Sequence, residues 1–291
     1  MECTRERILV VAKTYPEIST KYGPLVCTVG LNENLEWRRI YPIPAEIFFK
    51  EEYSHLRFKK WDIIEVELTD ARPKDPRIES FKVVNWKDIK VVGHVDRWED
   101  RIGFLEKVLD RDIESVWNSN RSIGVVKPVK LYDFFAKPRE RIRDEAEREV
   151  MNKMDEAQAT LDQYIKIKDV RDEILPDAKE EGIKIEKIPW IGYKFSCPNP
   201  KCGTHEMMVI DWEVQELFRK YRKIDPVKKK VFYDFMSSKD LYFVIGNTWR
   251  FRRSFMVISV VYPPAGTRPN TGVKFDDFVE RRSYGIDRWL K

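Results

Sequence analysis

Residues 195–213 read FSCPNPKCGTHEMMVIDWE, and the order of signals inside this run decides the C-terminal fold. GYKFSC (192–197) is an apolar, aromatic stretch that forms a strand, and EMMVID (206–211) reads as a second short strand. Between them the Pro- and Gly-containing residues make a turn. Asp211 then stands where a helix N-cap belongs, ahead of WEVQELFRKYRK (212–223), whose Val214, Leu217, Phe218 and Tyr221 give an apolar face. Strand, turn, strand and capped helix follow one another over residues 192–223, which predicts an α+β arrangement.

The turn also carries chemistry. Two of the four cysteines and one of the three histidines of the 291-residue chain fall in it, as Cys197-x4-Cys202-x2-His205. Two thiols and an imidazole on a tight turn suit tetrahedral zinc, so these three residues are the expected metal ligands and Zn(2+) the expected cofactor. No second CxxC follows, and the local sequence lacks a fourth ligand. Asp211, Cys27, Cys3, His94, His55 or solvent are the candidates. A Cys197–Cys202 disulfide, or two unrelated buried thiols, are the competing readings. Asp211 and Glu213 are the candidate catalytic acids beside such a metal, although capping and the helix dipole explain both without catalysis.

Downstream, charge is concentrated. Val214–Ser254 holds eleven Lys/Arg against four Asp/Glu, a net +7 in a chain whose total is +5. Arg219, Lys220, Tyr221, Arg222 and Lys223 belong to the first helix. Lys228, Lys229 and Lys230 belong to a second, expected to start at the Asp225-Pro226 cap. Trp249, Arg250, Arg252 and Arg253 fall in TWRFRR, the connection between two core strands, LYFVIGN and SFMVISVVYP. Cations interleaved with aromatic residues neutralise phosphate and stack on bases, so these residues are the candidate contacts to RNA or DNA. The simpler alternative makes Phe232, Phe235 and Phe251 core residues and the lysines a solvated face.

Upstream, RILVVAKTYP, PLVCTVGL, LEWRRIYPIP, KWDIIEVELTDARP, FKVVNW and IKVVGHV are short strands bounded by turns, the pattern of a small barrel or curled sheet. WEDRIGFLEKVL is a helix, and IGVVKPVKLYDFFAKP returns to extended structure. The chain then becomes a long charged helix with Ile142, Ala146, Val150, Met154, Leu161 and Ile165 on one stripe. DPRIESFK, with Asp75, Glu79 and Lys82, has the residue types of a nuclease core but the wrong spacing, and reads as an exposed charged turn. The expected organisation is a β-rich, barrel-like domain over 1–137, the charged helix and connector over 138–175, and an α+β domain with the zinc-type loop and basic surface over 176–291.

Composition sets outer bounds. Aromatic residues at 13% and apolar residues at 42% argue for a folded chain despite a mean hydropathy of −0.54. A high Lys, Glu, Arg and Ile content with only three glutamines fits a thermophile. Nothing resembles a secretory signal or a membrane span, which predicts a cytoplasmic protein. No Gly-rich phosphate loop and no local Ser/His/Asp or Cys/His arrangement is present, against a nucleotide-dependent enzyme of a standard type.

AKTYPEISTKYGPLVCTVG and EWRRIYPIP near the N-terminus, with YKFSCPNPKCGTHEMMVIDWE and VIGNTWRFRRSFMVISVVYPP later, resemble an uncharacterised group of prokaryotic proteins. The resemblance covers most of the chain and implies that its parts belong together. It transfers no catalytic residue and no substrate. The reading of the residues is therefore a nucleic-acid-binding protein with a structural metal. A metal-dependent nuclease using the same surface is the alternative, and a non-catalytic partner of an acidic protein the third reading.

Overall fold

The computed structural model describes residues 3–19, 23–137, 188–248 and 251–279; the expected charged helix at 138–175 lies outside them. The N-terminal part is a closed β-barrel. Strands β1 (Cys3–Lys13), β3 (Gly23–Asn32), β4 (Trp37–Pro44), β6 (Ser80–Val83) and β5 (Asp62–Asp70) pair in that order, and β5 returns to pair with β1. Strand β2 (Glu17–Ser19) flanks β3, and β7 (Lys90–His94) flanks β5.

Closure explains the run ILVVA in β1. A strand with one wet face alternates, whereas Ile8, Leu9, Val10, Val11 and Ala12 are all fully buried. Ile8 and Val10 point into the barrel with Ile40, Ile43, Ile64, Val66 and Leu68. Leu9 and Val11 face the other way, into a second core shared with Ile102, Leu105, Ile123, Val125, Val244 and Ile258. The start of the strand is wet, and there Arg5 lies opposite Glu67 and forms ion pairs with Glu65 and Glu67.

Helix α1 (Glu46–Phe49) lies between barrel strands β4 and β5, and α2 (Trp98–Lys107) and α3 (Ile113–Asn118) follow the chain out of the barrel. The rest is a second β-system. Strand β8 (Ile123–Val126) pairs with β12 (Tyr242–Asn247), which pairs with β13 (Phe255–Val261). Strand β9 (Lys130–Lys137) pairs with β10 (Trp190–Ser196), which forms a hairpin with β11 (Thr204–Met208). On these sheets pack α4 (Trp212–Tyr221), α5 (Ile224–Lys228) and α6 (Asp234–Ser238), the last two joined by a π-helical turn over Lys229–Tyr233. The molecule is thus mixed α+β with an N-terminal barrel. Among the described residues, no helix is long and apolar enough to cross a membrane.

The second basic helix starts earlier than Asp225-Pro226 predicts. Arg222 ends α4 in the left-handed conformation at φ 54°, the chain reverses there, and Lys223 precedes the new helix. Pro226 then lies in the first turn, where its missing N–H costs no intrahelical bond. The Tyr193 hydroxyl donates to the Val231 carbonyl at 2.7 Å, inside the π turn, which satisfies a carbonyl where the regular ladder is interrupted.

Barrel and C-terminal part meet at a buried carboxylate. Thr14, just past β1, forms a bridge with Asp211, and the Tyr15 amide donates to the Ile210 carbonyl at 2.9 Å. Asp211 caps α4 as expected, its Oδ1 accepting from the Glu213 and Val214 amides at 2.7 and 3.2 Å. Its Oδ2 accepts from Lys60 Nζ of the barrel at 3.0 Å and from the Val260 amide of β13 at 2.9 Å. Lys60 reaches Glu213 at 2.9 Å as well. Burial alone would push the Lys60 ammonium down, but the Asp211 and Glu213 carboxylates outweigh it and hold its pKa above the ordinary lysine value.

Lys60→Met leaves the Asp211 carboxylate buried beside a methyl group. Urea denaturation should show a loss of about 3–5 kcal/mol, against about 1 kcal/mol or less for Arg5→Met in its exposed pairs. Equal losses for the two variants would contradict this assignment.

Candidate metal centre and basic surface

The β10–β11 hairpin brings Cys197, Cys202 and His205 together. Cys197 directly follows β10, and Cys202 ends a short 3₁₀ turn over Pro200–Cys202. Asn199 caps that turn by accepting from the Lys201 amide at 3.0 Å. Gly203, at φ 68°, then swings the chain into β11, a conformation in which a Cβ would be strained. His205 comes back opposite Phe195, and its ring lies 5.4 Å from that phenyl ring.

The ligand atoms of all three residues lie within 4.8 Å of one another. Both cysteines are free thiols, Cys197 buried and Cys202 half-buried. His205 Nε2 is buried and has no hydrogen-bond partner. An orphaned imidazole nitrogen is costly in a folded protein unless something binds it, and a metal would do so. Burial, followed by the hydrogen bond with the Cys197 thiol, pushes the Cys202 thiol up to about 11. Burial also pushes the His205 imidazolium down, which favours the neutral ring that coordinates metals. Without a cation the Cys202 thiol is held protonated. A divalent metal would reverse that by taking both as thiolates.

The loop is anchored to α3, an element for which the pattern reading has no prediction. The only signal for it is Asp112-x-x-Ser115, a capping box. Asp112 Oδ1 accepts from the Ser115 amide at 2.7 Å, and Ser115 Oγ accepts from the Asp112 amide at 3.3 Å. Asp112 Oδ2 also accepts from Asn199 Nδ2 at 2.9 Å, tying the Cys/His turn to the start of this helix. At its other end Arg253 lies over the Trp117 ring at 5.2 Å, and Arg252 donates to Asn120 Oδ1 at 2.9 Å. One short helix therefore holds the Cys/His turn at one end and the arginine-bearing connection at the other.

The remaining predicted contacts are distributed as follows. Lys220, Tyr221, Arg222 and Lys223 are exposed at the end of α4, with Arg219 exposed and forked onto Glu216. Lys229 and Lys230 are exposed on the π turn, beside the exposed ring of Tyr233. Lys228 is paired with Asp133 of β9. Phe232 and Phe235 are core residues, while Phe251 is exposed with Arg253 on the β12–β13 connection. Trp249 and Arg250 lie outside the described residues. Asp211 and Glu213 do not join the Cys/His cluster; they belong to the Lys60 junction.

Two families match the chain. The domain of unknown function DUF8758 covers residues 4–107, the barrel with α1 and α2, and the domain of unknown function DUF8757 covers residues 110–279. The second alone spans more than half of the chain. The chain belongs to the DUF8757 family. Both families are uncharacterised, in agreement with the resemblance to an uncharacterised prokaryotic group. No curated protein and no solved structure matches. The families meet at 108–109, between α2 and α3, and α3 with β8 and β9 falls in the second.

Two further polar clusters fill the junction. Arg39 and Arg77 are buried there with Glu79, so DPRIESFK is not the exposed charged turn its composition predicts. Arg77 forks onto Asp75 and donates to the Asn247 carbonyl at 2.6 Å. Glu79 accepts from the Ser122 amide and hydroxyl at 2.8 and 2.9 Å, and Arg39 donates to the same Ser122. The wrong strand phase argued against a nuclease core but could not reveal that a second domain covers the turn.

Lys13 belongs to the other cluster. Its ammonium lies over Phe48 at 4.1 Å and over Trp212 at 4.5 Å and donates to the Phe58 carbonyl. Burial pushes it down to about 8, with Lys60 adding to the effect and Glu213 opposing it. In the unfolded chain the amine returns to its ordinary value of 10.5. Between these values the unfolded state holds a proton that the folded state has released, so stability rises with pH across that window. Lys13→Met removes the titration. Its stability relative to wild type should fall steadily from pH 8 to 10.5; a difference independent of pH would contradict the burial of a charged amine.

Proposed function

We propose that the protein binds nucleic acid through a basic, aromatic-interleaved surface and that Cys197, Cys202 and His205 hold a structural zinc ion. The observation that carries the reading is the arrangement around α3. The Cys/His turn and the arginine-bearing connection are fastened to opposite ends of one helix, so a metal that rigidifies the turn also steadies the helix on which Arg252 and Arg253 rest. Two thiolates and an imidazole are soft and borderline donors that favour zinc over magnesium or calcium.

The exposed cations Lys220, Lys223, Lys229, Lys230 and Arg253 supply charge for phosphates. Exposed Tyr221, Tyr233 and Phe251 supply flat apolar faces for unstacked bases, a combination suited to single-stranded RNA or DNA. Reduced Cys197 and Cys202 also fit a cytoplasmic setting. A nuclease centred on Asp211 has less support, because both of its oxygens are taken by structural donors.

Fluorescence anisotropy across a salt series, with single- and double-stranded RNA and DNA, tests this reading. Single strands should bind more tightly. An Arg250/Arg252/Arg253→Ala variant should lose at least tenfold in affinity, and the slope of log K against log salt should become shallower by about 2 for single strands. Elemental analysis should find about one zinc per chain. No binding at low salt, or unchanged binding by the variant, would remove nucleic acid from the account. Strand cleavage with Mg²⁺ or Mn²⁺ would move it to the nuclease reading, and co-purification with an acidic protein to the assembly reading.

A further inference from the structure

Among the described residues the cluster offers three ligands, and the positions of the other cysteines and histidines bear on where a fourth would come from. The chain has four cysteines and three histidines, and every one of them lies among the described residues. Cys3 is at the exposed start of β1. Cys27 is in β3, with its Sγ 3.9 Å from the Arg39 guanidinium. His55 is in a 3₁₀ turn over Glu51–Leu56 of the barrel part. His94, at the end of β7, is held between Asp62 at 2.6 Å and Asp96 at 3.2 Å. None of the four joins the cluster of Cys197, Cys202 and His205.

The buried carboxylate next to the cluster is committed elsewhere. Asp112 is completely buried, and its oxygens accept from the Ser115 amide, from Asn199 Nδ2 and from Arg111 Nε at 2.7, 2.9 and 3.0 Å. Turning Asp112 toward the metal would uncap α3 and release the Cys/His turn, losing the anchor that shapes the site. Cys202 and His205 are only half-buried, so the turn that carries them is not sealed from solvent, although His205 Nε2 itself is buried.

Resting on the reading of Cys197, Cys202 and His205 as metal ligands, we propose that the metal completes its shell with an exchangeable neutral donor from outside the chain, water or an imidazole-type nitrogen. Three protein ligands and one exchangeable donor is the pattern of zinc sites that engage other molecules, so this ion would both fasten the turn and present an open position. Charge decides the donor class. Zn²⁺ with two thiolates and a neutral imidazole carries no net charge. Asp112 and Glu114 also act on Cys202 with negative charge, and Arg111 is spent on Asp112. An anion therefore gains little at this metal, and a neutral nitrogen or oxygen donor is favoured. A histidine of a partner macromolecule has that chemistry, and imidazole is its probe.

The test uses full-length protein, stripped of metal and reloaded with Co²⁺. One cobalt per chain is expected, with thiolate-to-cobalt absorption that Cys202→Ser weakens. Added imidazole should then shift the ligand-field bands saturably while cobalt stays bound, and azide should need at least tenfold higher concentration for a comparable change. A cobalt spectrum indifferent to imidazole would mean a fourth protein ligand, which overturns this inference and leaves the metal reading standing. Tighter binding of azide than of imidazole would overturn the neutral-donor assignment, and cobalt stripped by imidazole would count against a stable three-ligand site. Failure to take up cobalt would overturn the metal reading itself.

Discussion

Asp211 is the constraint around which the two parts of this molecule are arranged. A fully buried carboxylate is stable only when its charge and lone pairs are met, and here four donors meet them from three separate places. Lys60 comes from the barrel, Val260 from β13, and the amides of Glu213 and Val214 from the first turn of α4. The carboxylate therefore sets where the helix begins, which way β13 faces and how far the barrel lies from both. The bridge between Thr14 and Asp211 carries β1 into the same junction. Leu9 and Val11 then cover the shared apolar core beneath it.

Much of this was legible in the sequence. The alternation of KWDIIEVELTDARP has the period of a strand, and ILVVA is a short, β-branched run of the kind a strand buried on both faces carries. Asp211 before an amphipathic run is a cap that local chemistry identifies. The clustering of Cys197, Cys202 and His205 survives because close spacing on one turn leaves little freedom to separate them. Partners distant in sequence were hidden. Lys60 lies 151 residues from Asp211, and no periodicity announces that a lysine in a charged stretch is buried against it. Arg39, Arg77 and Glu79 look like surface residues for the same reason, and become buried only because a second domain covers them. The early start of α5 turned on Arg222 adopting a left-handed conformation, which its residue type does not advertise.

The functional features follow from this architecture. The β10–β11 turn and the β12–β13 connection belong to different sheets, and α3 joins them with Asn199 held at its start and Arg252 and Arg253 near its end. On the proposed reading, a ligand change at a metal held by Cys197, Cys202 and His205 would reach Arg252 and Arg253 through the six residues of α3. The boundary between the DUF8758 and DUF8757 families at 108–109 falls just before this helix, so both features belong to the second family region. The barrel meets that region through the Lys60 and Arg39 contacts, a polar and apolar junction that a loosely tethered domain would not need.

The claim that barrel and C-terminal part form one body is tested most directly by hydrogen exchange followed by mass spectrometry across a urea series. Peptides from β3, inside the barrel, and from β10, in the second sheet, report on the two parts separately. The structure predicts that both lose protection in one transition, with the same midpoint and the same slope. Loss of protection in β10 at a urea concentration where β3 stays fully protected, or the reverse, would show two independent domains and contradict the account.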